Sequence, residues 1–61
     1  MKYSLKELRQ QQHMTQREVA AKLGVSVYTY RQWERYPAKL PVSKADRLCQ
    51  YFGVTLDQLI F

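Results

Sequence analysis

The sequence predicts an all-α domain, built as a bundle of five short helices. Apolar residues recur at the three- and four-residue spacing of helices, and Ser or Thr stands where that spacing restarts. Two glycines and two prolines divide the periodic stretches. With 61 residues the chain forms one domain, residues 1–61, and a domain of this size buries only about 60% of the surface of its unfolded chain. We therefore expect a small core.

Capping residues mark five helix starts. In a capping box, the hydroxyl of the N-cap residue accepts from the backbone amide three residues later, and the Glu or Gln side chain at that later position accepts from the N-cap amide. Three helix starts fit this pattern: Ser4 with Glu7, Thr15 with Glu18, and Thr55 with Gln58. Ser43 with Asp46 is a shorter-armed version of this box, and Ser26 can cap alone. The predicted spans are 4–12, 16–23, 27–35, 44–52 and 56–60, with residues 36–42 as the longest loop.

Two glycines mark helix ends. Gly24 and Gly53 are each followed by valine, Val25 and Val54, as expected if the glycine adopts the left-handed conformation and the next apolar side chain packs back on the last turn. The apolar residues of all five helices should share one core, and they are Leu5, Leu8, Val19, Ala20, Leu23, Tyr30, Trp33, Ala45, Leu48, Cys49, Phe52, Leu56, Leu59 and Ile60. Met14 is placed to pack on Val19 as a hydrophobic staple.

The composition indicates a polyanionic partner. Ten Lys and Arg against five Asp and Glu give a formal charge of +5, so nucleic acid is the first partner to consider and an acidic membrane surface the second. No apolar run approaches the roughly 18 residues of a membrane-spanning helix, and no leader pattern stands at the start. We expect a soluble, cytoplasmic protein with no membrane partner.

Enzymatic and metal chemistry are disfavoured. Cys49 is the only cysteine and His13 the only histidine, so neither an internal disulfide, a Cys/His zinc cage nor a nucleophile–base–orienter set can be assembled. We expect no cofactor and no catalytic residue. Cys49 is interpreted as an apolar core residue and His13 as a solvated turn residue.

The second and third predicted helices are joined by three residues only. The linker Gly24-Val25-Ser26 is too short for side-by-side antiparallel packing and suits the steep crossing of a helix-turn-helix, here at about 16–35.

The strings TQREVAAKLGVS and YRQWER, with the closing FGVTLDQLI, resemble the Cro/cI-type, lambda-repressor-like domains. The resemblance runs from Leu5 to Ile60 and includes Thr15 and Gln16 opening the second helix, Ala20 and Gly24 at the tight crossing, and Trp33 in the core. It implies a compact five-helix lambda-repressor-like bundle that binds DNA, as a small phage or bacterial repressor does.

The third helix carries the candidate base-reading residues. Placing Tyr30 inward at 100° per residue turns Tyr28, Gln32 and Arg35 outward, and these three are called the outward stripe below. Gln32 can pair bidentately with adenine, and Tyr28 can bond a base edge or a phosphate. Val27 and Thr29, at the end that enters the groove deepest, can touch a thymine methyl. The alternative is an ordinary solvated face.

Other polar residues are candidates for the DNA backbone. Gln16 opens the second helix, where free amides favour a phosphate, and the resemblance implies an anchoring role for it. The basic candidates supply position without sequence information, although each taken singly can be a solvated charge: Arg17, Arg31, Arg35, Lys39 and Lys44.

The resemblance also implies an ion pair between Arg9 and Glu34, which would tie the first helix to the end of the third; the alternative is that both are exposed. The chain departs from the family where it has Tyr36 and Pro37 after WER, where a glycine is common. The small or basic reading residues usual in the family are replaced by Val27 and Tyr28. Tyr36 is either a groove-edge contact or a cover for the core, and cover is favoured.

Two functional hypotheses follow. The first is a sequence-specific double-stranded DNA-binding transcription regulator, a repressor that acts by operator occupancy. The second is a protein-interaction module of the same fold, antitoxin-like or antirepressor-type. A homodimer on DNA is expected through an apolar C-terminal helix with the residues Leu56, Leu59, Ile60 and Phe61.

Overall fold

Four α-helices carry the fold in the computed structural model, which describes residues 2–60. They are α1 (Leu5–Gln11), α2 (Gln16–Leu23), α3 (Val27–Arg35) and α4 (Val42–Phe52). Single 3-10 turns lie at Pro37–Lys39 and Leu56–Gln58. The bounds predicted for α2 and α3 are confirmed, and α1 is one residue shorter at each end than predicted.

The hydroxyl caps place the first three helices. The Glu7 amide donates to Ser4 Oγ over 3.1 Å, and the Ser4 amide donates to Glu7 Oε1 over 3.0 Å. Thr15 and Glu18 repeat this box at α2, and the Thr29 amide donates to Ser26 Oγ over 3.1 Å at α3. Each cap satisfies amides that the first helical turn leaves unpaired, so the start of each helix is fixed by its sequence.

The prediction for the start of α4 is wrong. The helix begins at Val42, two residues before the predicted start, so Ser43 lies inside its first turn and does not cap it with Asp46. Pro41 is the N-cap, with φ −64° and ψ 145°, and its carbonyl accepts from the Ala45 amide over 2.9 Å. Proline lacks only an amide that a helix start leaves unpaired, and its restricted φ suits entry into the helix, so the side-chain cap is not needed.

The predicted fifth helix is also wrong. Only the 3-10 turn Leu56–Gln58 forms, and at Leu59 the backbone becomes extended. There the chain pairs in parallel with Tyr3, because the Tyr3 amide donates to the Gln58 carbonyl over 2.7 Å and the Ile60 amide donates to the Tyr3 carbonyl over 2.9 Å. These bonds take the backbone groups that a continuing helix would use. They also hold the two ends of the described chain together.

Left-handed residues end three of the four helices, α1, α2 and α4. Gly24 has φ +70° and Gly53 has φ +72°, and the amides of Val25 and Val54 close six-residue turns onto Ala20 and Cys49. His13 ends α1 in the same way with φ +54°, a conformation that is unfavourable for a residue with a Cβ.

The core lies where the four helices meet. Tyr30, Val19 and Leu48 are fully buried, and Trp33 packs edge-to-face on Tyr30 with ring centroids 6.5 Å apart. Cys49 belongs to this core, as predicted, and Met14 packs against it. Leu40 is buried as well, although it lies in the predicted loop, so the segment after α3 is anchored in the core.

Candidate nucleic-acid interface

The inward face of α3 fixes what its outer face presents. Because Tyr30 and Trp33 are buried, Tyr28 and Arg35 of the outward stripe are exposed, Tyr28 to 67% of its surface. Gln32 is half-buried and belongs to none of the side-chain hydrogen bonds within residues 2–60 that hold its neighbours. A phenol and an uncommitted amide on an exposed helix face can both bond base edges.

Val27 and Thr29 are more constrained than the sequence indicated. Val27 is partly buried against the core, so only part of its side chain faces solvent. The Thr29 hydroxyl accepts from Ser26 Oγ over 3.0 Å, which fixes the Thr29 side chain at the helix start. Thr29 is therefore partly committed to the N-cap and Val27 to the core, which leaves each with less freedom to contact a partner.

A chain of polar contacts joins α1, α2 and α3. Arg9 Nε donates to Glu34 Oε2 over 2.7 Å, and Arg9 Nη2 donates to Glu34 Oε1 over 3.3 Å. Gln16 Nε2 donates to the same Oε1 over 3.1 Å, and Gln16 Oε1 accepts from Arg31 Nε over 3.1 Å. We call Arg9, Glu34, Gln16 and Arg31 the interhelix network. It includes the Arg9–Glu34 ion pair that the resemblance implies, with both side chains largely buried.

The electrostatics of the network favour the ionised pair. Burial raises the pKa of Glu34, but the hydrogen bond from Arg9, with further help from Gln16, outweighs burial and leaves that pKa below its ordinary value. The same hydrogen bond raises the pKa of Arg9. Both groups are therefore charged across the physiological range, and Arg9 also donates to the Met14 carbonyl over 3.0 Å.

Tyr30 lies behind this pair. Its ring is fully buried, and its hydroxyl has no hydrogen-bond partner of ordinary geometry within residues 2–60. Burial raises the pKa of this phenol strongly, and the neighbouring Glu34 carboxylate raises it further. The hydroxyl is thus neutral and desolvated.

The predicted backbone-anchoring residues do not all come together. Gln16 and Arg31 are adjacent through the network, and Arg17 is exposed beside them on α2. Lys44 instead donates to the Leu23 carbonyl over 3.4 Å, at the far end of α2 and about 10 Å along the helix from Gln16. Its ammonium therefore lies near the negative end of the α2 dipole, away from the Gln16 site.

Tyr36 does not cover the core. The residue is 44% exposed, and it lies outside the set of side chains packed on the core. The Arg35 guanidinium is 5.5 Å from the ring centroid, and the Lys39 ammonium is 4.9 Å from it. Sequence analysis missed this arrangement, although an aromatic residue between two basic ones was its signal. The backbone of Tyr36, with φ −127°, does not need the glycine that is common here in the family.

A second surface lies between α2 and α4. A shallow groove of about 100 Å³ is lined by Val19, Leu23 and Leu48 at its floor and by Lys22, Arg47 and Tyr51 at its rim. The Lys22 ammonium is 5.9 Å from the Tyr51 ring centroid.

Residues 2–60 contain no group of three or more His, Cys, Asp or Glu side chains that could hold a metal ion. Over the same residues, no helix has the length and apolar character needed to cross a bilayer.

The fold and the exposed face of α3 define a helix-turn-helix domain. A family model described as helix-turn-helix matches residues 5–59. The chain belongs to this family, and the resemblance to the Cro/cI type is confirmed. The family is one of DNA-binding regulators, which makes this chain a DNA-binding domain by class. No curated protein and no solved structure matches the chain.

Proposed function

We propose that this protein is a sequence-specific reader of duplex DNA, and that it represses transcription by occupying an operator. The observation that carries the proposal is that the exposed stripe of α3 is combined with the interhelix network, which holds that helix in place. A recognition helix must present side chains in a fixed orientation, and here the Arg9–Glu34 pair ties the end of α3 to α1.

Within this proposal Tyr28, Gln32 and Thr29 read bases, with Val27 contributing the part of its side chain that is exposed. Gln16, Arg17 and Arg31 hold one phosphate strand at the start of α2, where free amides and the helix dipole favour an anion. Arg35 and Lys39 hold phosphate beyond the other end of α3. Lys44 keeps its place in the backbone-anchoring set only as a contact separate from the Gln16 group.

A homodimer on DNA is part of the proposal, with a changed surface. The expected dimer surface, an apolar C-terminal helix that includes Leu59, is wrong. Leu59 is 2% exposed and belongs to the core, and the C-terminal segment is not an α-helix. Leu56 and Ile60, which the sequence placed in the core, are instead 39% and 40% exposed, and they are the apolar residues that support the proposal. Phe61 lies outside the described residues. Half-sites should repeat at about 34 to 36 Å, which is one turn of DNA.

Selection from random duplex DNA tests the proposal, followed by two variants on the selected site. Gln32→Ala should weaken the selected site by about 1 to 3 kcal/mol and weaken unrelated DNA much less, because only a matched base rewards its amide. Lys39→Ala should weaken all sequences and make the salt slope shallower by about one unit. Gln50→Ala, which removes an exposed glutamine of α4, is the matched control and should change neither.

Two results would count against the proposal. If selection enriches no sequence, the protein does not read bases. If Gln32→Ala weakens selected and unrelated DNA by the same factor while circular dichroism shows intact helices, the outward stripe is assigned to the wrong residues. A protein-interaction module remains the alternative outcome, and the groove between α2 and α4 is the surface that would then be tested first.

A further inference from the structure

We propose that Tyr36 is a positioning residue, whose ring holds Arg35 and Lys39 ready to bind one DNA phosphate between them. These three residues are called the phosphate clamp. The inference rests on the proposed DNA binding but concerns the sequence-independent part of it.

The local backbone brings the three residues together. The Tyr36 amide donates to the Gln32 carbonyl over 2.7 Å, so Tyr36 continues directly from the last turn of α3 and Arg35 precedes it there. The Lys39 amide then donates to the Tyr36 carbonyl over 2.9 Å. This bond closes the turn that brings Lys39 back beside Tyr36, and the Lys39 ammonium lies 4.9 Å from the ring centroid.

The turn is held at both ends. Pro37 opens it with a restricted φ, and the buried side chain of Leu40 anchors the chain just after Lys39. The position of Lys39 relative to Tyr36 is therefore set by the backbone and the core.

The charges around the ring call for an anion. Both cations lie within the roughly 6 Å at which an aromatic face attracts a cation. Two like charges drawn to one side chain repel each other, and an anion bound between them would offset that repulsion. Within residues 2–60 the only ion pair is Arg9–Glu34, so neither Arg35 nor Lys39 has a carboxylate partner there. A phosphate, which accepts from Arg in a planar geometry and from Lys as a point charge, fits this need.

The location agrees with the chemistry. Arg35 belongs to the outward stripe, and Tyr36 and Lys39 follow it in the chain. The clamp therefore lies at the C-terminal end of α3, which is the helix that would enter the groove. The phosphate would be one bordering that groove. The ring contributes by restricting two long side chains before binding, which reduces the conformational entropy lost when they bind phosphate.

Binding to a short duplex of arbitrary sequence at low salt tests the clamp. Tyr36→Leu, which removes the aromatic face and keeps an apolar side chain, should weaken binding about three- to tenfold, which is below the roughly thirtyfold ceiling that two exposed cation–ring contacts set. Tyr36→Phe, the matched control, keeps the face and should bind within about twofold of the wild type. In an Arg35→Ala, Lys39→Ala background, Tyr36→Leu should have almost no further effect, because the ring acts only through those two side chains.

Several results would overturn the clamp. If Tyr36→Phe weakens binding as much as Tyr36→Leu, the hydroxyl rather than the ring acts. If Tyr36→Leu has the same effect in both backgrounds, the ring contacts DNA by itself. Should Tyr36→Leu fail to fold, NMR of the wild type decides: the side-chain methylene protons of Arg35 and Lys39 should be shifted upfield by the ring and should move when duplex is added, and unshifted protons overturn the proposal.

The clamp and the proposed function fail differently. If the protein binds every duplex with equal affinity and Tyr36→Leu still weakens that binding, the result contradicts sequence-specific reading and supports the clamp. Sequence-specific binding that does not depend on Tyr36 overturns the clamp alone. A wild-type protein that binds no duplex at low salt overturns both.

Discussion

Replacing Glu34 by Gln removes one negative charge where α1, α2 and α3 meet and changes little in shape. The carboxylate accepts three hydrogen bonds, over 2.7 and 3.3 Å from Arg9 and over 3.1 Å from Gln16. The substituted amide can accept at only one of its two end atoms, and its NH₂ group faces donors. Arg9 keeps the Met14 carbonyl but loses its counter-charge.

The cost follows from the kind of bond that is lost. Hydrogen bonds to a charged group contribute about 1.5 to 3 kcal/mol. The bond from Arg9 Nε loses its acceptor, because the NH₂ group of the amide replaces Glu34 Oε2, whereas the other two bonds can keep the amide oxygen as their acceptor. The Arg9 and Glu34 side chains are only 13% and 7% exposed, so solvent screening reduces this little. We expect Glu34→Gln to lower the free energy of unfolding by about 2 to 3 kcal/mol. A domain of this size has roughly 3 to 9 kcal/mol in all.

Urea unfolding followed by far-ultraviolet circular dichroism at pH 7 measures this loss. Glu18→Gln is the matched control, because Glu18 is fully exposed and a glutamine can still complete its capping box; its effect should be much smaller than that of Glu34→Gln. If Glu34→Gln unfolds within about 0.5 kcal/mol of the wild type, the interhelix network does not stabilise the fold and the argument for a fixed α3 fails.

Three further predictions concern the same framework. Because folding lowers the pKa of Glu34, the ionised carboxylate contributes fully to the free energy of unfolding above its ordinary pKa of 4.5, and this contribution is lost as the pH falls through the folded pKa. The stability difference between the wild type and Glu34→Gln should therefore close below about pH 4.5 in urea titrations. A difference that stays constant with pH contradicts this. Tyr30→Phe removes a buried hydroxyl that has no hydrogen-bond partner within residues 2–60, and it should leave the free energy of unfolding unchanged or raise it by up to about 1 kcal/mol; a clear loss would mean that the hydroxyl bonds Glu34. His13→Gly relieves a left-handed conformation and should raise the free energy of unfolding by about 0.5 kcal/mol in the same assay, and a lower value would show that the turn has no strain.

The local signals of the sequence predicted the first part of the fold well. The boxes at Ser4 and Thr15 and the cap at Ser26 each satisfy their own helix start, so no distant contact was needed to place α1, α2 and α3. Gly24 likewise ends α2 through its own conformation. Such features can be predicted because cause and effect lie within four residues of each other.

The errors lie where distant contacts decide. The segment after Thr55 has a helical pattern, yet its backbone pairs with Tyr3 at the other end of the chain. No local pattern announces this pairing, and it places Leu59 in the core. The start of α4 was misplaced because Pro41, which has no side-chain donor or acceptor, is the N-cap. The helix therefore begins without the side-chain cap that the hydroxyl of Ser43 was expected to provide.

The candidate site divides in the same way. The exposure of Tyr28 follows from helical periodicity, so the sequence was sufficient to predict it. Two contacts depend instead on how separate segments are placed in space. They are the hydrogen bond between Gln16 and Arg31 and the cation–π contact of Lys39 with Tyr36. The sequence therefore predicted which residue types face outward better than it predicted what each of them contacts.

Stability and the proposed reading of DNA are connected in this small domain through α3. A helix of nine residues is not stable in water alone, so its outer face keeps a fixed orientation only if its inner face is held. Tyr30 and Trp33 hold it by burial, and Glu34 holds it through Arg9. Since Glu34 also holds Gln16, and Gln16 holds Arg31, the carboxylate that stabilises the fold also positions a cation proposed to meet phosphate. A substitution in the interhelix network should therefore weaken DNA binding even under conditions in which the protein remains folded.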